Sequence, residues 1–290
     1  MKRVLVIVVT YNGMRWLERC LSSVPAWADA YVVDNASADG SADYVAAHFP
    51  QVKLVRSAEN LGFSKPNNMG FEYALEQGYD FVYLLNQDAW LEEGALEKLV
   101  KAAEEHPEYG VLSPMQYQDG YQQLDKQFEK RYTRARGPRY DTPVIPSKAS
   151  GSPVEVDVIM AAHWLVPVSV IRRIGPFEET LFPLYGQDDD WCNRLHFSGL
   201  KIGIVPEARA VHDRAQRKEP LEKVVYRNYY MGSLVRLCDP SRPLWERFLF
   251  VMVFTWVKAV KYGSLLPFRY FRRIIRDLPR VRMCRSRSGK

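Results

Sequence analysis

Four short apolar runs in this 290-residue chain each end in a small polar cluster with chemical potential. Val4 to Val9 leads into Thr10-Tyr11-Asn12, and Tyr31 to Val33 into Asp34-Asn35. Val52 to Val55 leads into Arg56 and then Asn60, and Phe81 to Leu85 into Asn86-Gln87-Asp88. Asp34 can accept a hydrogen bond from the ring N–H of a uracil or thymine, a charge-assisted bond that is strong where water is excluded. The pair Asp34-Asn35 also suits a turn or helix cap before Ser41, so by itself it leaves both uses open. Between Asn60 and Asn68, Gly62 precedes a helix whose first turn suits Pro66. Free backbone N–H groups and the positive dipole end at such a terminus favour a diphosphate. Asp188, Asp189 and Asp190 offer a carboxylate for proton abstraction, or else a helix start stabilised by its dipole.

The elements that would position these groups follow from periodicity. Each apolar run has the length and β-branched or aromatic content of a buried strand. Helical patterns lie between them, near Met14 to Ser22, Ser41 to His48, Lys65 to Gln77 and Glu92 to Glu105. Alternation of this kind predicts a parallel sheet covered on both faces, with ligands bound outside the carboxyl ends of the strands, where all four clusters fall. Residues 116–153 turn polar, Tyr-rich and interrupted by Pro and Gly, and are read as a flexible loop beside the site. A strand near Val154 to Ile159, helices near Val168 to Ile174 and Asp189 to Phe197, and a strand near Lys201 to Val205 complete a first domain at 1–218. Residues 219–290 read as a helical, aromatic and basic extension.

Composition narrows the classes. With 47% hydrophobic residues the chain can bury a sizeable core. From Arg269 to Lys290 eight Arg and one Lys face the single acid Asp277, a local +8 within a total of +6, so residues 1 to 268 sum to −2. Basicity confined to the tail argues against nucleic acid as partner and for an anionic surface met by the C-terminus. Cys20, Cys192, Cys238 and Cys284 lack paired spacing, which fits reduced thiols better than a disulfide or zinc framework. The first strand begins directly after Met1-Lys2-Arg3, so no signal peptide is expected and the body should stay in the cytoplasm.

Taken in order and spacing, these blocks resemble the bacterial family 2 glycosyltransferases, and within them the rhamnosyltransferase-like branch. The resemblance is carried by Val9-Thr10-Tyr11-Asn12-Gly13, Val33-Asp34-Asn35-Ala36-Ser37, Asn60-Leu61-Gly62-Phe63 with Asn67-Asn68, and Leu84-Leu85-Asn86-Gln87-Asp88. It continues through Arg172-Arg173-Ile174-Gly175-Pro176-Phe177, Tyr185-Gly186-Gln187-Asp188-Asp189-Asp190, and Pro206-Glu207-Ala208 ahead of His212. It implies a GT-A type nucleotide-sugar-binding fold with a mostly parallel sheet, and inverting sugar transfer from a nucleoside-diphosphate donor such as dTDP-rhamnose or a UDP-sugar. It also implies residue roles. Thr10, Tyr11, Asn12 and Asp34 would surround the base, Asn60, Gly62 and Asn68 would lie over the nucleotide, and Asn86 would meet the ribose. Asp88 and His212 would hold a divalent cation, Mn²⁺ or Mg²⁺, with the imidazole tilting the choice toward Mn²⁺. Asp188 matches the proposed catalytic base, although Gln187 stands where the family has Glu, which leaves open whether Asp190 shares the task. Trp164 and Trp191 could stack on a sugar face, though core packing is the commoner use of such rings.

The acceptor implied is a glycan or lipid-linked sugar in cell-surface polysaccharide assembly. Phe248 to Val257 is apolar but too short to span a bilayer. With the aromatic residues and Arg-rich tail around it, the stretch 244–290 suggests peripheral contact with the inner face of the cell membrane. A lid or homodimer interface is the other use of such a surface. Two alternatives stand beside transfer. A sugar-nucleotide nucleotidyltransferase would need a Gly-rich, basic triphosphate loop after the first strand, which Thr10-Tyr11-Asn12-Gly13 is not. An inactive relative that binds membrane or a partner would bind donor without turnover.

Overall fold

Val, Ile and Leu fill β1 (Val4–Thr10), and almost every one of its side chains is buried, as a strand covered on both faces requires. The structure, a computed structural model, describes residues 2–135, 152–213 and 220–288. After β1 come α1 (Met14–Ser22), β2 (Asp29–Asp34), α2 (Ser41–His48), β3 (Lys53–Arg56), α3 (Ser64–Glu76), β4 (Phe81–Asn86) and β5 (Ala89–Leu91). Next are α4 (Ala95–Glu105), β6 (Tyr109–Tyr117), α5 (Lys126–Ala135), β7 (Val154–Val156), β8 (His163–Pro167) and α6 (Val168–Ile174). The chain continues through α7 (Gln187–Phe197), β9 (Lys201–His212), α8 (Leu221–Val225) and a π-helical turn (Tyr226–Met231) to α9 (Gly232–Cys238), α10 (Leu244–Tyr262) and α11 (Leu266–Ser288).

The strands form one sheet in the order β3-β2-β1-β4-β8-β6-β9-β5, with β7 also pairing with β9. β1 to β4 are parallel to one another, but β8 runs antiparallel between β4 and β6, and β5 and β7 are antiparallel to β9. The sheet is therefore mixed, where strand–helix alternation predicted a parallel one. Thr10 lies opposite Asp34 and Val9 opposite Asn86, so three of the polar clusters share one sheet edge. Chain progression reverses between β1 and β4, which makes that edge a topological switch point. α3 sits close over β1: a Cβ on Gly70 would fall 2.4 Å from Ile7 Cδ1. On the opposite face Val6, Val8, Tyr83 and Leu85 pack with Leu17, Leu96 and Leu99 from α1 and α4.

Three strands escape the periodicity reading for identifiable reasons. β5 is three residues long. β8 carries a buried His163 and ends in Pro167. β6 holds Pro114, tolerated because pairing with β9 shifts there: Pro114 faces Val205, then Met115 faces Arg209. A proline cannot donate to the ladder and is accommodated at such an irregularity. That shift takes up Pro206-Glu207-Ala208 and extends β9 from the expected Val205 to His212. Within the expected loop 116–153 the structure places α5, while residues 136–151 lie outside the described residues.

The chain forms two compact units, Met1–Pro176 with Leu200–Arg214, and Phe177–Gly199 with Ala215–Lys290. Residues 177–199 thus group with the C-terminal helices, whereas the sequence reading placed them in the first domain. The cause is local packing: Leu181 and Phe182 are buried with Tyr229, Leu234 and Leu237 in an all-helical core.

Candidate active site

At the switch point a single amide joins two strand ends. Gln87 Oε1 accepts from the Thr10 hydroxyl at 2.8 Å and the Tyr11 N–H at 2.8 Å, and Gln87 Nε2 donates to the Tyr11 carbonyl at 3.3 Å. A Cβ on Gly13 would lie 2.3 Å from Gln87 Oε1, so glycine there leaves room for this bridge. Thr10 is buried and committed to the bridge, whereas Tyr11 is 47% exposed and presents its ring at the strand end. Asn12, at φ +49°, donates its N–H to Ser37 Oγ and accepts from the Ala38 N–H, tying the β1 end to the loop after β2.

Asp34 is 3% exposed. Its Oδ2 accepts the Ser37 N–H at 3.0 Å, but Oδ1 is buried without a hydrogen-bond partner. Leaving such an acceptor unsatisfied is costly, so an oxygen of this kind marks a place for a donor from outside the chain. Asn35 beside it, also buried, donates Nδ2–H to the Gly62 carbonyl at 2.6 Å and accepts from the Leu61 N–H at 3.3 Å. Asn60 Oδ1 accepts from the Gly62 N–H, and Gly62 takes φ +81°, a conformation that favours glycine. The 60–63 loop is therefore pinned next to Asp34, with Asn68 following in α3.

Asp88 and His212 meet. His212 stands opposite Ala89 in the β5–β9 pairing, which brings its Nε2 to 3.5 Å from Asp88 Oδ1. The imidazole is 4% exposed and the carboxylate 25%, with His212 Nδ1 buried and unpartnered. One carboxylate and one imidazole this close fit a hard-to-borderline divalent cation completed by external oxygens. The Asp88 carbonyl accepts the Asp213 N–H at 2.8 Å, and Asp213 Oδ2 accepts the Trp16 indole N–H at 2.9 Å, so the end of β9 is anchored to α1.

A buried histidine holds this arrangement from below. His163 Nε2 lies 3.0 Å from the Val211 carbonyl, which can only accept, so Nε2 carries the proton and Nδ1 accepts from the Tyr83 hydroxyl at 2.8 Å. Burial, with the neighbouring His212, pushes the His163 pKa from 6.5 down to about 3. An unfolded His163 binds a proton below about pH 6.5 while the folded one does not until about 3, so stability rises with pH across that window. Folding should lose about 1.4 kcal/mol per pH unit from this group as the pH falls below the unfolded value. Urea unfolding at about pH 7.5 and about pH 5 should show that loss in the native protein and a smaller one in His163→Gln. Equal pH dependence in both would remove His163 as its source.

α7 separates the three acids. Gly186 at φ +88° precedes the helix, and Asp188, in its first turn, accepts the Asp189 N–H at 3.0 Å. Asp190 is 1% exposed and holds Arg194 Nε at 3.0 Å, and burial raises its pKa against the opposing pull of Arg194. Asp190 Oδ1, Cys238 Sγ and Cys284 Sγ lie within 4.8 Å of one another in the same helical unit. Asp190 therefore faces the interior of its unit, paired with Arg194. Gln187 is 7% exposed, with Oε1 buried and unpartnered. Trp164 and Trp191 are fully buried, Trp191 against Phe177, so neither is placed to stack on a sugar.

With this geometry in view, comparison with known proteins decides the family. The model of "glycosyl transferase family 2" matches residues 5–152, half of the chain. The chain belongs to glycosyl transferase family 2. This family 2 glycosyltransferase is 27% identical over 266 residues to an N-acetylglucosaminyl-diphospho-decaprenol L-rhamnosyltransferase of Mycobacterium tuberculosis, covering 83% of this chain and 86% of that protein. It is 24% identical to the dTDP-rhamnosyl transferase RfbF of Shigella flexneri, over 71% of this chain and 67% of the relative. Among solved structures, S. aureus TarS 1–349 superposes with a TM-score of 0.56 at 16% identity, over 86% of this chain and 69% of that fragment. GalNAc-T7 with UDP, GalNAc and Mn²⁺ gives 0.57 at 14% identity, over 96% and 57% respectively. These likenesses establish the GT-A type fold, a mixed sheet with helices on both sides and a helical C-terminal region.

Sequence reasoning missed the residues that support the named ones. Gln87 was only the middle of Asn-X-Asp, and Asn35 only the neighbour of Asp34. His163 carried no local signal, because its partners Tyr83 and Val211 are distant in sequence.

Proposed function

We propose that this glycosyltransferase moves a sugar, with inversion, from dTDP-rhamnose or a UDP-sugar to a glycan or lipid-linked acceptor in cell-surface polysaccharide assembly. The approach of His212 to Asp88, at 3.5 Å on the strand edge that also carries Asp34, is the observation that carries this reading. The names of the relatives support it: two are rhamnosyl transferases, one of them named for a diphospho-decaprenol-linked acceptor. Asp34 Oδ1 accepts the ring N–H of a uracil or thymine, and the Tyr11 ring lies against the base, with Thr10 and Asn12 shaping that end of the site. Asn60, Gly62 and Asn68 with the α3 N-terminus face the diphosphate, and Asn86 meets the ribose.

Asp88 and His212 would hold Mn²⁺ or Mg²⁺, which when bound offsets the negative charge gathering on the leaving diphosphate. Asp188 takes the proton of the acceptor hydroxyl as it attacks the face opposite the leaving group. In this reading residues 1–218 form the transfer domain. Residues 219–290 form the extension through which the enzyme rests peripherally on the inner face of the membrane. None of the helices among the described residues is long and apolar enough to cross a membrane.

A thermal-shift screen with Mn²⁺ tests the donor site. Uridine and thymidine diphosphates and their sugars should raise the melting temperature where adenosine and guanosine diphosphates do not. Asp34→Asn should weaken the preferred nucleotide by about tenfold or more, the worth of one hydrogen bond to a charged group. No shift with any uridine or thymidine nucleotide would overturn the proposal.

A further inference from the structure

α10 buries one side and offers the other to solvent with almost no polar side chain on it. Val251 and Thr255 are buried toward the helical core, where the Thr255 hydroxyl pairs with Tyr229 at 2.7 Å. On the far side Trp245 is 67% exposed, Val253 64%, Trp256 67% and Val260 82%, with Leu249 between them at 48%. Spacings of four, four, three and four residues put all five on one stripe, about 22 Å long at the helical rise. Phe250, Met252 and Val257, each exposed, widen it. Single exposed apolar residues are ordinary on a protein surface, but a continuous apolar face of this length marks an interaction site.

The charges of α10 select the occupant. Glu246, its only acid, is paired with Arg242 at 3.0 Å, and Arg247 is paired with Asp239, which leaves Lys258 and Lys261 as the balance. Lys258 lies along the rings of Phe254 and Tyr262, its stem on the apolar surface, as side chains that reach toward a polar boundary do. A second copy of this helix would bring cations against cations without acids to pair them. An anionic leaflet supplies acyl chains for the stripe and phosphates for the cations, and Trp245 and Trp256 have the ring and N–H suited to that depth.

We propose that α10 is an in-plane membrane anchor that inserts the Trp245–Val260 stripe among the acyl chains of an anionic leaflet. This rests on the peripheral-membrane part of the proposed function and moves the anchor from the Arg-rich tail to α10. α11 cannot serve as a free basic arm. Its Tyr270, Ile274, Val281 and Cys284 are buried, and Asp277 accepts the Tyr230 hydroxyl hydrogen bond at 2.5 Å. Deleting 269–290 would therefore strip the helical core. The exposed Arg269, Arg272, Arg273, Arg276 and Arg280 form a basic stripe on α11 that adds salt-sensitive attraction.

The test is cosedimentation of the full chain with phosphatidylglycerol–phosphatidylcholine vesicles at low salt and at about 0.5 M NaCl, where surface charge is screened. It is repeated with the triple variant Leu249→Gln/Val253→Gln/Trp256→Gln. The native chain should stay substantially bound at high salt, and the variant should partition at least about tenfold more weakly. All three positions are exposed, and an unchanged melting temperature verifies the variant's fold. Equal binding by the variant would overturn the α10 assignment while leaving membrane contact intact. Complete release of the native chain by salt would overturn insertion in favour of charge alone. Failure of the native chain to bind at either salt would sink the membrane reading itself. A native dimer on gel filtration that the variant converts to monomer would assign the stripe to a second copy.

Discussion

Replacing Asp88 by alanine should abolish the Mn²⁺ dependence of nucleoside-diphosphate binding and lower transfer by about 10²–10³-fold, the scale on which one charge-stabilising group acts on a transition state. Asp88 is the carboxylate that His212 approaches, and the imidazole, 4% exposed, has no negative charge to replace it. The fold should survive, because alanine retains the Asp88 backbone carbonyl that accepts the Asp213 N–H at the end of β9. Calorimetric titration of UDP and dTDP with and without Mn²⁺ reads the effect directly. A metal-dependent gain in affinity that persists in Asp88→Ala would contradict the assignment. Loss of nucleotide binding in the absence of metal as well would point to a structural role instead.

The second large effect belongs to Asp188. Asp188→Asn should lower kcat by about 10²–10⁴-fold, the usual contribution of general base catalysis, while donor KM changes little. The amide keeps the size of the side chain and an oxygen for the Asp189 N–H but cannot take a proton. Asp190→Asn is the contrasting case. Removing one charge of its buried pair with Arg194 should destabilise the protein by about 3–5 kcal/mol, read by urea unfolding, with any lost activity tracking the unfolded fraction. Normal turnover in Asp188→Asn would remove it as the base, and a stable, inactive Asp190→Asn would reverse the two roles.

Much of the framework was legible in the chain. α1, α2 and α6 start and stop where periodicity and punctuation put them, and the four early strands lie within a residue or two of their apolar runs. Local physics suffices for these elements: a strand buried on both faces must be apolar along its length, and it turns polar where it emerges at the sheet edge. β6 and the far half of β9 were hidden because Pro114 and Pro206 read as breaks. A proline-containing strand is viable only where a partner strand shifts register to meet it, and that partner is remote in sequence. The grouping of residues 177–199 with the C-terminal helices was hidden for a similar reason, since apolar Leu181 and Phe182 do not announce which core they enter.

The sequence by itself determined the class of chemistry: carboxylates and amides set at the ends of apolar runs, in an order that placed the chain in its family. Tertiary structure decided which of those groups lie near one another. His212 reaches Asp88 only because the irregularity at Pro114 and Val205 carries β9 on to pair with β5. Asp190 is withdrawn from Asp188 by about two hundred degrees of helix rotation, which turns it into the core and onto Arg194. Helix phase along α10 likewise sends Val251 and Thr255 inward and Val253 and Trp256 outward. Residue type is local and survives in the written chain, but partnership depends on strand order, register and helix phase, which are set by packing against segments far away.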